Sequence, residues 1–329
     1  MRRLGAAQSQ DYLGAKWSIG QRVRNGTDAG LDEAFAAGRI LRTHILRPTW
    51  HFVTPADIRW MLRLTAPHVL ALNGYQHREL ELDEAVFERS HALFARALSG
   101  GIQLTRAELS GVLRQGGIVA AARRLAYIMM HAELSGLVCS GALKGKQHTY
   151  ALLEERVPPS PAMSRDAALA ELTRRFFAGH APATLQHYVW WSGLSVASAK
   201  AGVAMLGADL PGTLLDGNTW YGVGTRPPTP QPAAARLLPE YDEALVGSAD
   251  LAVPDLPRAR RRGAWRDDWS RPVLVGGRRA GTWRRTVTPR AVVLETNLFA
   301  SLDRPQSKAL DAAAERYGSF LGLPVRLEA

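Results

Sequence analysis

Two amide side chains near the amino end are the pair best placed to do chemistry: Gln8 and Gln10, within Gln8-Ser9-Gln10-Asp11 between Leu4 and Leu13. Residues two apart share a face only where the backbone is extended, because in a helix they lie on different faces. Asp11 is then placed to N-cap a helix running from Tyr12 to about Val23. Both glutamines would project from the mouth of that helix, where their carbonyl oxygens can hold a water. The plainer alternative is a solvated entry loop. Spacing alone does not separate the two.

Other usual signs of catalysis are missing. The sequence has no Walker A loop, no Gly-x-Gly-x-x-Gly after a strand, no Gly-x-Ser-x-Gly elbow and no His-Glu-x-x-His. Its nine histidines are scattered, and His44 and His51 fall on one hairpin with no third ligand nearby in sequence, so DNA contacts or packed residues are expected there and no metal site. Tyr241-Asp242-Glu243 offers neighbouring acids, although such neighbours are ordinarily structural or solvated. The single cysteine, Cys139, excludes an internal disulfide and a zinc cluster and suits a reducing cytosol. No apolar run is long enough to span a bilayer, and Met1-Arg2-Arg3 leads into small and polar residues, so no membrane anchor or signal peptide is expected.

Charge is more informative. The 329 residues carry 41 Lys+Arg against 30 Asp+Glu, a net +11, and only five of the basic residues are lysine. A GC-rich coding bias explains part of the arginine preference but not the net sign. A polyanionic partner is implied, and nucleic acid is the commonest one.

The elements that would position these residues read as follows. After the first helix, residues 24–27 form a turn and Leu31 to Ala37 a short helix ending at Gly38. Ile40 to Leu46 and Thr49 to Val53 are β-prone runs broken by Arg47-Pro48, and Thr54-Pro55 opens another helix. Helices followed by a hairpin make a winged helix, whose wing here would carry Arg42, Thr43, His44, Arg47, Trp50 and His51. The pattern recurs. Asp83 to Leu98 is helical, Thr105 to Glu108 is a capping box, Ile118 to Leu134 is a third helix, and Leu137 to Leu153 is a hairpin tipped by Lys144 and Lys146. Past the Pro-rich joint at 157–161, Ser164 caps a helix to Phe177, and Thr184 and Ser195 cap two short helices joined at Gly193, a helix-turn-helix. Beyond a Pro-rich linker at 226–232 the chain is mainly β-prone: a hairpin turning at Gly276-Gly277 returns through Trp283, Arg284 and Arg285, and Ser307 to Phe320 is a last helix. The arginine run at 258–262 reads equally as a solvated loop or a phosphate contact. The fold class is α+β: tandem winged-helix units at 1–75, 76–157 and 158–225 forming a curved basic channel, then a β-rich part at 226–329 with a terminal helix. Winged helices bind duplex DNA by setting one helix in a groove and touching backbone with the wing, although some serve as protein-interaction modules.

The sequence resembles the AlkZ type of winged-helix DNA glycosylases, bacterial enzymes that remove alkylated purines and unhook interstrand crosslinks. The matching stretches are Gln8 to Tyr12, Arg42-Thr43-His44 with Arg47 to Val53, Trp190 to Leu194, Leu237 to Glu243, Gly281 to Arg285 and Glu315 to Gly322, all in the family's order. The resemblance implies that Gln8 and Gln10 are the catalytic pair, the family motif being Gln-x-Gln or Gln-x-Asp. Ser9 departs mildly from an aliphatic middle position, and the helical segment that usually precedes the motif in relatives is expected to be missing. It further implies a substrate of double-stranded DNA carrying alkylated purines, no cofactor, no obligate protein partner and a bacterial cytoplasmic location at the nucleoid. A purine alkylated at N7 or N3 leaves as a neutral base, so neutral amides that orient water and face positive charge are chemically adequate. A non-catalytic DNA-binding or damage-recognition protein is the competing reading.

Overall fold

Side-chain caps set most helix starts of this chain in the computed structural model, which describes residues 1–222, 233–247 and 271–328. The linker expected at 226–232 and the arginine run at 258–262 lie outside the described residues. Chain order begins β1 (Ala7–Gln8), α1 (Tyr12–Gly20), α2 (Asp28–Ala36), β2 (Leu41–Ile45), β3 (Arg47–Val53) and α3 (Pro55–Glu79). The turn between β2 and β3 is made by Leu46 in the left-handed region, φ 64°, so Arg47-Pro48 opens a strand instead of breaking one.

Next come α4 (Glu84–Leu98), β4 (Leu104–Thr105), α5 (Arg106–Gln115), α6 (Ala122–Leu134), β5 (Val138–Ser140), β6 (Thr149–Leu152) and the short α7 (Leu153–Arg156). Asp83 caps α4 by accepting from the Val86 amide, and Thr105 with Glu108 forms the reciprocal box on α5. Phe87, Phe94 and Leu98 line the buried stripe of α4 and pack with Leu109, Leu113, Ile128 and Met129. The third group is α8 (Arg165–His180), β7 (Ala183–Thr184), α9 (Leu185–Ser192), α10 (Val196–Leu206), β8 (Gly212–Leu215) and β9 (Asn218–Tyr221). Ser164, Thr184 and Ser195 cap its helices as expected. Its core packs Phe176 at a tilt against Trp191 and Tyr188, at ring separations of 5.3 and 5.1 Å.

Each group contains a three-stranded sheet, and the strand orders β1-β3-β2, β4-β6-β5 and β7-β9-β8 are the same arrangement, first-third-second. In the second and third groups the same succession of helix, strand, two helices and hairpin leads to it.

The remaining elements are β10 (Ala235–Leu237), α11 (Glu243–Val246), β11 (Arg271–Val275), β12 (Arg278–Val287), β13 (Val292–Leu298), α12 (Arg304–Leu321) and β14 (Val325–Glu328). The strands lie side by side in chain order in one five-stranded sheet. Pairing is antiparallel up to β13, then parallel to β14, with α12 as the crossover that a parallel pair requires.

By packing, the chain divides into two compact units: residues 1–8 with 32–221, and residues 9–31 with 222–329. The second therefore contains α1. Trp17 donates from its indole nitrogen to the Leu237 carbonyl at 2.6 Å and packs edge-on against Tyr317, with Trp283 fully buried beside them. Asp242 is the buried polar centre of this unit. It takes hydrogen bonds from Ser18, Gln21 and both terminal nitrogens of Arg22 and caps α11. Tyr241-Asp242-Glu243 is thus structural at its middle residue.

Candidate functional site

Gln8 ends β1, an edge strand only two residues long, and pairs with His51 of β3, which pairs in turn with Thr43 of β2. Paired residues point to one face, so Gln8, His51 and Thr43 form a row across the sheet. Gln8 is 7% exposed and Ser9 is fully buried, whereas Gln10 is exposed. The Gln8 Oε1 accepts from Arg47 Nη2 at 2.6 Å. Because a guanidinium has donors and no acceptor, this contact dictates which end of the amide is oxygen. Arg47 Nη1 donates to the carbonyls of Trp190 and Trp191 at 3.0 and 2.8 Å, at the end of α9. His51 Nδ1 lies 2.9 Å from the Thr49 carbonyl; a carbonyl accepts only, so Nδ1 carries the proton.

The rest of the first hairpin corrects the expectation of a DNA-touching wing. Thr43, His44 and His51 are buried, and Arg42 is only 8% exposed with its guanidinium 4.3 Å from the Trp50 ring. His44 Nδ1 contacts Glu133 Oε2, Trp50 Nε1 donates to Glu133 Oε1 at 3.3 Å, and the His44 and Trp50 rings are 4.4 Å apart. The physical reason is that β2 lies against α3 and α6, so both of its faces are covered. His44 and Trp50 serve a network around the buried Glu133, a residue that no local pattern singles out, and Arg42 lies over the Trp50 ring.

Lys144 and Lys146 are exposed at the tip of the second hairpin, whose turn is Gly145 at φ 63°. Lys144 Nζ reaches Glu108 Oε1 at 2.6 Å, and this contact with the Thr105 cap holds the Glu108 carboxyl down at about 2. In the second compact unit Asp11 stands at the N-cap of α1, yet its side chain makes no cap bond. Its Oδ2 instead pairs with Arg271 and Arg285 at 3.4 and 3.3 Å, and Arg285 also donates to the Tyr317 hydroxyl at 2.8 Å. Arg285 is therefore a packed residue, while its neighbour Arg284 is exposed. Burial, offset by Arg271 and reinforced by Asp11, raises the Glu240 carboxyl above its ordinary range. The tryptophan pair divides: Trp191 is fully buried and Trp190 is 51% exposed.

The family model for DNA glycosylase AlkZ-like proteins matches residues 1–320. This chain belongs to the AlkZ-like DNA glycosylase family. No curated protein matches the chain. Among solved structures it is similar to the Streptomyces sahachiroi DNA glycosylase AlkZ, with a TM-score of 0.75 at 20% identity, over 99% of this chain and 91% of that one. The α+β fold expected from the sequence is thus the AlkZ fold, and the protein is a DNA glycosylase. An AlkZ-like enzyme must hold DNA and hydrolyse an N-glycosidic bond. Among the described residues no helix is long and apolar enough to cross a membrane, and no group of three or more His, Cys, Asp or Glu could hold a metal ion. Around Gln8 the fold gathers Arg47 and His51, and an amide held in this way can orient and polarise a water.

Proposed function

We propose that this AlkZ-like glycosylase is monofunctional and removes cationic alkylated purines of the N7-alkylguanine type, including crosslinked ones, from duplex DNA, with Gln8 and Gln10 as the catalytic pair. The observation that carries the reading is the Gln8 amide, fixed in orientation by Arg47 at 2.6 Å and thereby pre-organised at the end of an edge strand. Oε1 has two lone pairs. It accepts from Arg47 and, in this reading, also accepts a hydrogen bond from the attacking water. Gln10, exposed two residues on, supplies a second amide. The water oxygen bonds to C1′ as the C1′–N9 bond breaks, and that bond's electron pair cancels the positive charge of the purine. The water's spare proton passes to solvent. Proton removal can lag because the base is a good leaving group, so amides suffice where a carboxylate would otherwise be needed. The reaction as written uses neither metal nor organic cofactor.

The three helix-and-sheet groups are read as winged helices lining a curved basic channel, with Lys146 and Arg284 among the exposed phosphate contacts. A bulky crosslinked base suits an open channel better than a closed flipping pocket. The enzyme would work in the bacterial cytoplasm at the nucleoid, on DNA alone and without an obligate protein partner. The test is excision of N7-methylguanine from a defined duplex, read as strand breaks after heat and alkali. Gln8→Ala and Gln10→Ala are each expected to slow excision while duplex affinity is kept. Full activity in both variants would overturn the catalytic assignment.

A further inference from the structure

We infer that Arg47 is a positioning residue for catalysis, acting through Gln8; the inference rests on the catalytic reading of Gln8. Sequence pattern places Arg47 among the phosphate contacts of a wing. The geometry gives it another task. Its two terminal nitrogens divide between the carbonyls of Trp190 and Trp191, where α9 ends, and the amide oxygen of Gln8. The last carbonyls of a helix lack intrahelical partners and carry partial negative charge, so they anchor the guanidinium. Anchoring also comes from the backbone: Gly193, left-handed at φ 69°, sits so close to the β2–β3 turn that a Cβ there would come within 2.5 Å of the Leu46 carbonyl oxygen. The guanidinium is thus held by α9 on one side and holds Gln8 on the other.

A glutamine amide rotates about a soft terminal torsion and has two nearly equivalent flips. Arg47 removes that degeneracy, because only oxygen can face a guanidinium. Its planar fork serves both directions at once, which a lysine, a single-point charge, does not. Arg47 is not assigned contact with substrate, and its effect is confined to how well Gln8 is aimed.

The test is a double-mutant cycle on single-turnover excision of N7-methylguanine, comparing wild type, Arg47→Ala, Gln8→Ala and the double variant, with duplex affinity and melting temperature measured for each. Arg47→Ala is expected to slow excision about 10- to 100-fold, the scale of a misaimed catalytic group, with duplex affinity within about twofold. In the Gln8→Ala background the same change is expected to cost nothing more. Methylguanidinium at constant total salt is expected to restore Arg47→Ala but not the double variant. Arg47→Lys, which keeps the charge, should bind DNA normally and remain slow, and it replaces Arg47→Ala in the cycle if the alanine variant does not fold. Losses that multiply, an unchanged rate, or a loss explained wholly by weaker duplex binding would overturn the inference and leave Gln8 catalytic. Full activity of Gln8→Ala would instead remove the reading beneath it.

Discussion

Glu133 gathers the polar atoms of the first hairpin although it lies on α6, 89 residues from His44. At 1% exposure its carboxylate meets both the His44 imidazole and the Trp50 indole. Glu133→Ala would remove the carboxylate that the buried His44 and the half-buried Trp50 both meet, and the expected loss is about 2–4 kcal/mol, measured by urea unfolding. Residue type made His44 and Trp50 look like DNA contacts, and nothing in the spacing could reveal a partner so far along the chain. A second residue-scale effect concerns pH. Burial, with repulsion from His91 and His77, pushes His131 down to about 4, and its ring stacks on Phe87 and meets His91 Nε2 at 3.1 Å. His148 is pushed down to about 4 as well, chiefly by burial. A folded-state value below the unfolded one means the unfolded chain takes up the proton first. These groups therefore contribute fully above about pH 6.5, and their contribution falls as pH drops toward the folded-state value of about 4. Stability measured at pH 7 and at pH 5 should differ in that direction, and His131→Gln should shrink the difference. An unchanged pH dependence in that variant would show that the ring is not held neutral by the fold.

The turn between α9 and α10 is where one element fixes another. Gly193 is left-handed at φ 69°, and a Cβ would meet the Leu46 carbonyl oxygen at 2.5 Å and Arg47 Cγ at 3.2 Å. Gly217, at the tip of the β8–β9 hairpin, is left-handed too at φ 76°, but a Cβ there meets nothing within 4 Å. Gly217→Ala is expected to cost about 1 kcal/mol from backbone strain alone, and Gly193→Ala clearly more, about 2–4 kcal/mol, with slower excision because Arg47 is displaced. Urea melts of the pair separate the two costs; equal losses would mean the α9 turn yields without disturbing its neighbour. Elements of this kind were legible wherever their signal is local. The caps at Asp83, Thr105, Ser164, Thr184 and Ser195 act within three residues, so a short window contains the whole interaction. Asp11 has the same type and position, yet its carboxylate is claimed by Arg271 and Arg285, some 260 residues on. Likewise β8 and β14, four residues each, have too little periodicity to be seen before their pairing partners are known.

At the scale of the molecule, the count of 41 Lys+Arg overstates what DNA can meet. Arg22 is spent on Asp242, Arg175 on Asp57 and Glu171, Arg285 on Asp11, and Arg156 on the carbonyls that end α2. Only side chains that reach solvent can release counterions from phosphate, and each such contact contributes about −0.9 to the slope of log affinity against log salt. Duplex binding should therefore weaken steeply with salt. Lys146→Ala and Arg284→Ala should each flatten the slope by about one, for damaged and undamaged duplex alike. Arg47→Ala should leave the slope where it is, because its guanidinium is already bonded to three oxygens of its own chain. Titrations by fluorescence anisotropy between about 50 and 200 mM salt resolve these differences. A flat response in the wild type would mean that the arginine excess does not face DNA, and a slope change in Arg47→Ala would return that residue to the phosphate contacts.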